Sequence, residues 1–124
     1  MTRTSFDLDH AIESAADPAF VLDPTADSFV AANAAACALL GYAHEELLET
    51  PVSRIHPGER AQLQEFVSAV LAAGHGTTVA LTCRTRPGAY LPVEMSLAAF
   101  EHDGRTLLLG LVRDRSDHRQ RRAD

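Results

Sequence analysis

The chain has 124 residues, of which 46% are apolar and 23% charged, with a formal net charge of −6. This fits one globular domain and excludes a disordered chain. Its longest apolar runs are too short to span a membrane, and Met1–Asp7 has no apolar stretch of the signal-peptide kind, so a cytoplasmic protein is expected. The charge is uneven. Residues 1–112 hold 6 Arg and 14 acidic residues, and residues 113–124 hold 5 Arg and 3 Asp. An acidic body argues against nucleic acid as partner of the fold, and no membrane partner is expected. Cys37 and Cys83 form neither a C-x-x-C pair nor a disulfide framework.

In chain order, Asp7 to Ala16 has Leu8, Ile12 and Ala15 at helical spacing, which predicts a short amphipathic flanking helix within residues 1–16. Asp17-Pro18 stops it. Ala19–Leu22 and Ser28–Ala31 read as short strands around an Asp-Pro-Thr-Ala-Asp turn. Asn33 is a good N-cap for Ala34–Leu40, and Gly41 a good C-terminal stop. His44–Leu48 adds a further helical turn, and Pro51 and Pro57-Gly58 mark breaks.

Glu59–Ala73 is the strongest helix. Leu63, Phe66, Val67, Val70 and Leu71 form its apolar stripe, and Arg60, Gln64 and Ser68 are expected to face away from it. The period then changes to two. Thr77–Arg86 reads as a strand with Val79, Leu81 and Cys83 on one face. Leu91, Val93, Met95 and Leu97 alternate with Tyr90, Pro92, Glu94 and Ser96. His102-Asp103-Gly104 is a hairpin turn into Thr106–Val112. These elements predict an α+β fold, a five-stranded antiparallel sheet with helices on one face.

Several segments together resemble the PAS sensory family. Ala11–Asp23 is similar to its lead-in and opening strand, and Ala32–Tyr42 to its Asn-capped helix ending in Gly-Tyr. Glu45–Leu48, His56-Pro57, Arg84–Glu94 and Val112–Ser116 follow in the family's order. Thr50, Pro87 and Arg115 depart from its usual Gly, Asp and Ile. The resemblance spans about residues 8–118 and implies a PAS domain over 17–114, with a C-terminal linker start at 115–124.

The resemblance implies a signalling sensor, not an enzyme. It would bind a small ligand or dimerise to regulate an output domain: a histidine kinase, a cyclic-di-nucleotide enzyme or a transcription regulator. That output would lie in cis or in trans, the latter if the chain stands alone. A homodimer is expected, with the flanking helix covered by its own sheet or by a second subunit. The outer sheet face at Tyr90, Pro92, Ser96 and Ala98 is a candidate cover.

Candidate cavity residues are Ile55, Phe66, Val67, Val70, Leu81, Cys83, Met95 and Leu97, between the long helix and the sheet. A fully packed core and a small ligand cavity are both compatible with them. Flavin photoadduct chemistry is not expected, because Thr50–His56 lacks the Cys of the flavin-binding relatives. Haem is not expected either, because the axial His of haem-binding relatives corresponds to about Leu63. His56 reads as a solvent-facing turn residue and His75 as a loop residue. His10, His44, His56, His75, His102 and His118 are scattered, so no metal site is expected. Both cysteines read as core residues. The competing readings are a dimerisation-only domain and a small cone-fold enzyme of the ketosteroid-isomerase type. The latter needs an Asp/His pair on the sheet.

Overall fold

The computed structural model describes residues 8, 12, 13 and 15–116. The described residues form six strands: β1 (Ala19–Asp23), β2 (Ser28–Ala32), β3 (His75–Thr78), β4 (Thr82–Arg84), β5 (Tyr90–His102) and β6 (Arg105–Asp114). Between β2 and β3 run α1 (Ala34–Leu40), α2 (His44–Leu48), a 3₁₀ turn (Val52–Ile55) and α3 (Arg60–Ala73). The sheet is antiparallel in the order β2-β1-β6-β5-β3, and β4 also pairs with β5. β3 and β4 together make one edge position, so the six strands span five places, as expected.

That edge is interrupted. β3 pairs Thr78 with Met95, whereas β4 pairs Thr82 with Pro92, one residue out of the earlier register. Val79 and Ala80 take up the extra residue, as at a β-bulge. The expected alternation through Val79, Leu81 and Cys83 therefore fails at its first member. Val79 is 55% exposed, while Leu81 and Cys83 are buried.

Local chemistry accounts for the other boundaries. Asn33 accepts from the Ala36 amide at 2.9 Å, and Gly41 ends α1 in the left-handed region with φ 79. Asp103 and Gly104 both have positive φ (54 and 75), the geometry of a two-residue hairpin turn that matches strand twist.

The main core lies between the inner sheet face and the helices. It joins Phe20, Leu22, Met95, Leu97, Leu108 and Val112 to Leu40, Leu47, Ile55, Leu63 and Val70. A second cluster covers part of the outer face: Ala19, Val21, Ala31 and Leu107 meet Ile12, with Leu8 and Ala15 packed against them. Leu8, Ile12 and Ala15 thus lie on the chain's own sheet at the β1, β2 and β6 corner, away from Tyr90 and Pro92. The helix expected within residues 1–16 lies largely outside the described residues, as does the linker beyond Ser116. Cover on both faces explains the near-continuous apolar run in β6, where neighbouring Leu107 and Leu108 are both fully buried.

Asn33 ties these layers together. It is 1% exposed. Its Oδ1 accepts from the amides of Ala19 and Ala36, and its Nδ2 donates to the Ile12 and Asp17 carbonyls at 3.0 Å each. Glu13 adds a second link through the Ala34 amide.

Candidate functional site

A cavity of about 480 Å³ lies between sheet and helices. Its floor is sheet: Phe20 and Leu22 of β1, Cys83 of β4, Met95 and Leu97 of β5, and Val112 of β6. Its walls are Ala36, Leu39 and Leu40 of α1, Val52, Ser53, Ile55 and His56, and Leu63 and Val67 of α3. Phe29 of β2 closes one side, edge-on to Phe20 with ring centroids 5.5 Å apart. Arg60, Gln64 and Ser68 also line it, and all three are exposed, so the cavity opens along this edge of α3 opposite Pro24 and Thr25.

Of the candidate cavity residues, Ile55, Val67, Cys83, Met95 and Leu97 line this space. Phe66, Val70 and Leu81 do not. Phe66 and Val70 pack on Gly76 of β3 instead; a Cβ there would stand 3.3 Å from Phe66 Cε1 and 3.1 Å from Val70 Cγ2. The apolar stripe of α3 divides between the cavity, at Leu63 and Val67, and the edge strand. Leu71, counted in the same stripe, is 44% exposed. Arg60, Gln64 and Ser68 recur every fourth residue beside the stripe and form the rim, contrary to the expectation that they face away.

His56 departs most from its expected place. It is 3% exposed, and its Nδ1 lies 2.7 Å from the Thr82 carbonyl oxygen. The 3₁₀ turn and the N-terminus of α3 position it. Glu59 Oε1 accepts from the Thr82 amide and Oε2 from the Thr82 hydroxyl, at 3.0 Å each, so this corner is fastened to β4. Burial lowers the His56 pKa, and the Thr82 carbonyl and nearby Glu59 and Asp27 offset this only in part. Burial therefore favours the neutral imidazole over the cation.

The rim carboxylates are already engaged. Asp27, with φ 55, accepts from the Ser53 amide at 3.0 Å and the Ser53 hydroxyl at 2.7 Å. Asp23 accepts from Arg105 Nη1 and the Thr25 amide, at 3.0 Å each. Cys83 is the cysteine on the cavity wall. Burial, with nearby Glu59, pushes its thiol up to about 12, so it is no thiolate nucleophile at neutral pH. Burial and then Glu13 raise the Cys37 thiol as well. Among the described residues no group of three or more His, Cys, Asp or Glu side chains converges as a metal site would need.

The profile of the PAS domain family matches residues 17–117. The chain belongs to the PAS domain family. A PAS domain of a two-component sensor histidine kinase is similar at 23% identity and TM-score 0.74, over 92% of this chain and 99% of that one. A PAS domain from Colwellia psychrerythraea gives 22% identity and TM-score 0.75, over 88% and 94%. A domain of the sensory box sensor histidine kinase/response regulator from Geobacter sulfurreducens gives 25% and 0.64, over 92% and 97%. No curated protein matches the chain. The cone-fold alternative gives way to the PAS fold. Of the Asp and His residues that line the cavity, Asp23 alone is on the sheet, and it is held by Arg105; Asp27 stands in the β1–β2 turn and His56 after the 3₁₀ turn. No helix among the described residues is long and apolar enough to cross a membrane.

Proposed function

We propose that this PAS domain is a small-molecule sensor that regulates an output domain, in cis or in trans. The cavity between α3 and the sheet, apolar on its floor and polar at its opening, carries this reading. It is toward the small end of the about 300–1,000 Å³ typical of ligand pockets. Two similar structures are named as parts of sensor histidine kinases, so a kinase is the favoured output class. Val112 lines the cavity two residues before Asp114, where β6 ends, so occupancy can be felt at the exit of the domain. Such a relay requires a ligand that binds two states of the sheet with different affinity.

The ligand is not a flavin or haem in this proposal, and no catalytic step is assigned to the domain. An absorption spectrum and a native mass spectrum of the purified protein test this. The expected result is no flavin or Soret band and a non-covalent mass of a few hundred daltons, either retained or restored by a small-molecule screen. Flavin or Soret absorbance overturns the cofactor assignment, and a cavity that accepts nothing leaves dimerisation as its role.

A homodimer through the outer sheet face is the second part of the proposal. Leu111 is 43% exposed beside Ser96 on β5, and Tyr90 is 58% exposed at the end of that strand. Sedimentation of only monomer at tens of micromolar counts against it.

A further inference from the structure

The wall of the cavity carries a polar atom, on a buried side chain, that the fold leaves unused. His56 lines the cavity, and its Nδ1 is committed to the Thr82 carbonyl oxygen. A carbonyl oxygen only accepts, so Nδ1 carries the proton, and Nε2 of the neutral ring is an acceptor. Nε2 has no hydrogen-bond partner among the described residues. The carboxylates at the rim, Asp23 and Asp27, are held by Arg105, Thr25 and Ser53, and the other side-chain acceptors there, Gln64 and Ser68, are exposed to water.

Building on the small-molecule reading above, we propose that the cavity selects an uncharged, mainly apolar molecule with one hydrogen-bond donor. Its hydroxyl or ring N–H, of the phenol or indole kind, donates to His56 Nε2. Burial keeps the ring neutral, so the acceptor persists at physiological pH. A carboxylate in the same place would set its lone pairs against that of Nε2, with the carboxylates of Asp23 and Asp27 also on the cavity wall and the Arg60 cation at its exposed rim, where water screens it. A bound donor also reinforces the Nδ1–H form, because the two hydrogen bonds of one imidazole polarise each other. Contact with ligand is thereby linked to Thr82 of the edge strand.

Matched probes separate this proposal from the reading it rests on. The protein is titrated by NMR with 2-naphthol, 2-methoxynaphthalene and 2-naphthoate. The expected result is shifts at cavity residues with the two neutral probes, about tenfold tighter binding of the naphthol, and loss of that preference in His56→Phe. Equal affinity of the two neutral probes, or a preference for naphthoate, overturns the donor assignment and leaves the cavity reading intact. Shifts with none of the three overturn both. Because His56→Phe also removes the Thr82 bond, nitrogen-15 spectra of the His56 ring in the wild-type protein give an independent reading. Protonation at Nδ1 is expected, and protonation at Nε2 at neutral pH overturns the proposal. So does a His56-dependent Soret band on adding haem, which would assign Nε2 to iron.

Discussion

Glu59 grips Thr82 twice, taking its amide with one carboxylate oxygen and its hydroxyl with the other, both at 3.0 Å. The residues are 23 apart in sequence, so the pair fastens the start of α3 to the shortest strand of the sheet. Glu59→Ala leaves the Thr82 amide without its partner. The expected loss is about 1–3 kcal/mol, read as a lower urea midpoint with unchanged m-value. Glu59→Gln keeps an acceptor for one bond and loses less. If Glu59→Ala unfolds at the wild-type midpoint, the grip contributes nothing.

Asn33→Ala removes a helix cap and the tether of the flanking segment together. The cap alone is worth about 1 kcal/mol, and the unpaired buried groups left behind add to it, so the total is expected to exceed about 2 kcal/mol. Asn33→Asp separates the two roles. It keeps the acceptor for Ala19 and Ala36 but cannot donate to Ile12 and Asp17. Hydrogen exchange is expected to show α1 protected and the Ile12–Asp17 region released in Asn33→Asp. Equal protection in both regions contradicts this division.

Stability depends on pH through His56. Its folded pKa lies below the ordinary 6.5, so in the window between them the unfolded chain binds more protons than the folded one. Stability therefore falls as pH drops below about 6.5, by at most about 1.4 kcal/mol per pH unit until the folded pKa is reached. Denaturant titrations from pH 7.5 to 5 read the slope, and His56→Gln is expected to flatten it. A slope unchanged by the substitution assigns the effect to another group.

Val67 lines the cavity, so a larger side chain can extend into it. Val67→Phe is expected to keep stability within about 1 kcal/mol, well under the usual 1–3 kcal/mol for overpacking. Binding of any probe that enters the cavity should weaken at least about tenfold, a change of about 1.4 kcal/mol. The same substitution in a filled core would destabilise strongly without a selective effect on binding.

The elements were legible where local chemistry decides them. Asn33 and Gly41 bracket α1, Asp103-Gly104 turns the hairpin, and the period of two in β5 follows its inner and outer faces. What failed depended on tertiary detail. A one-residue bulge at Val79 and Ala80 has no turn signal of its own, so alternation ran on through it. The apolar spacing of α3 is plain in the sequence, but the close approach of Gly76 takes Phe66 and Val70 to β3, while Leu63 and Val67 meet the cavity. His56 beside Pro57-Gly58 reads as a surface turn. Its burial follows from the Thr82 carbonyl 26 residues away, a partner that no local pattern announces. The four-residue recurrence of Arg60, Gln64 and Ser68 was visible, but only the cavity shows that their edge of α3 is its opening.

The interruption between β3 and β4 bears on how copies of the chain meet. A long straight border strand would offer an unbroken row of free amides and carbonyls, a template for stacking chain upon chain. Here that row stops after four residues, steps by one, and resumes for three. An incoming strand that matches one half is out of step with the other. The kink is therefore a guard against amyloid-like growth from this border, whatever the domain senses. Deleting one residue at Val79–Ala80 to restore register should leave the interior intact while making the protein prone to fibres.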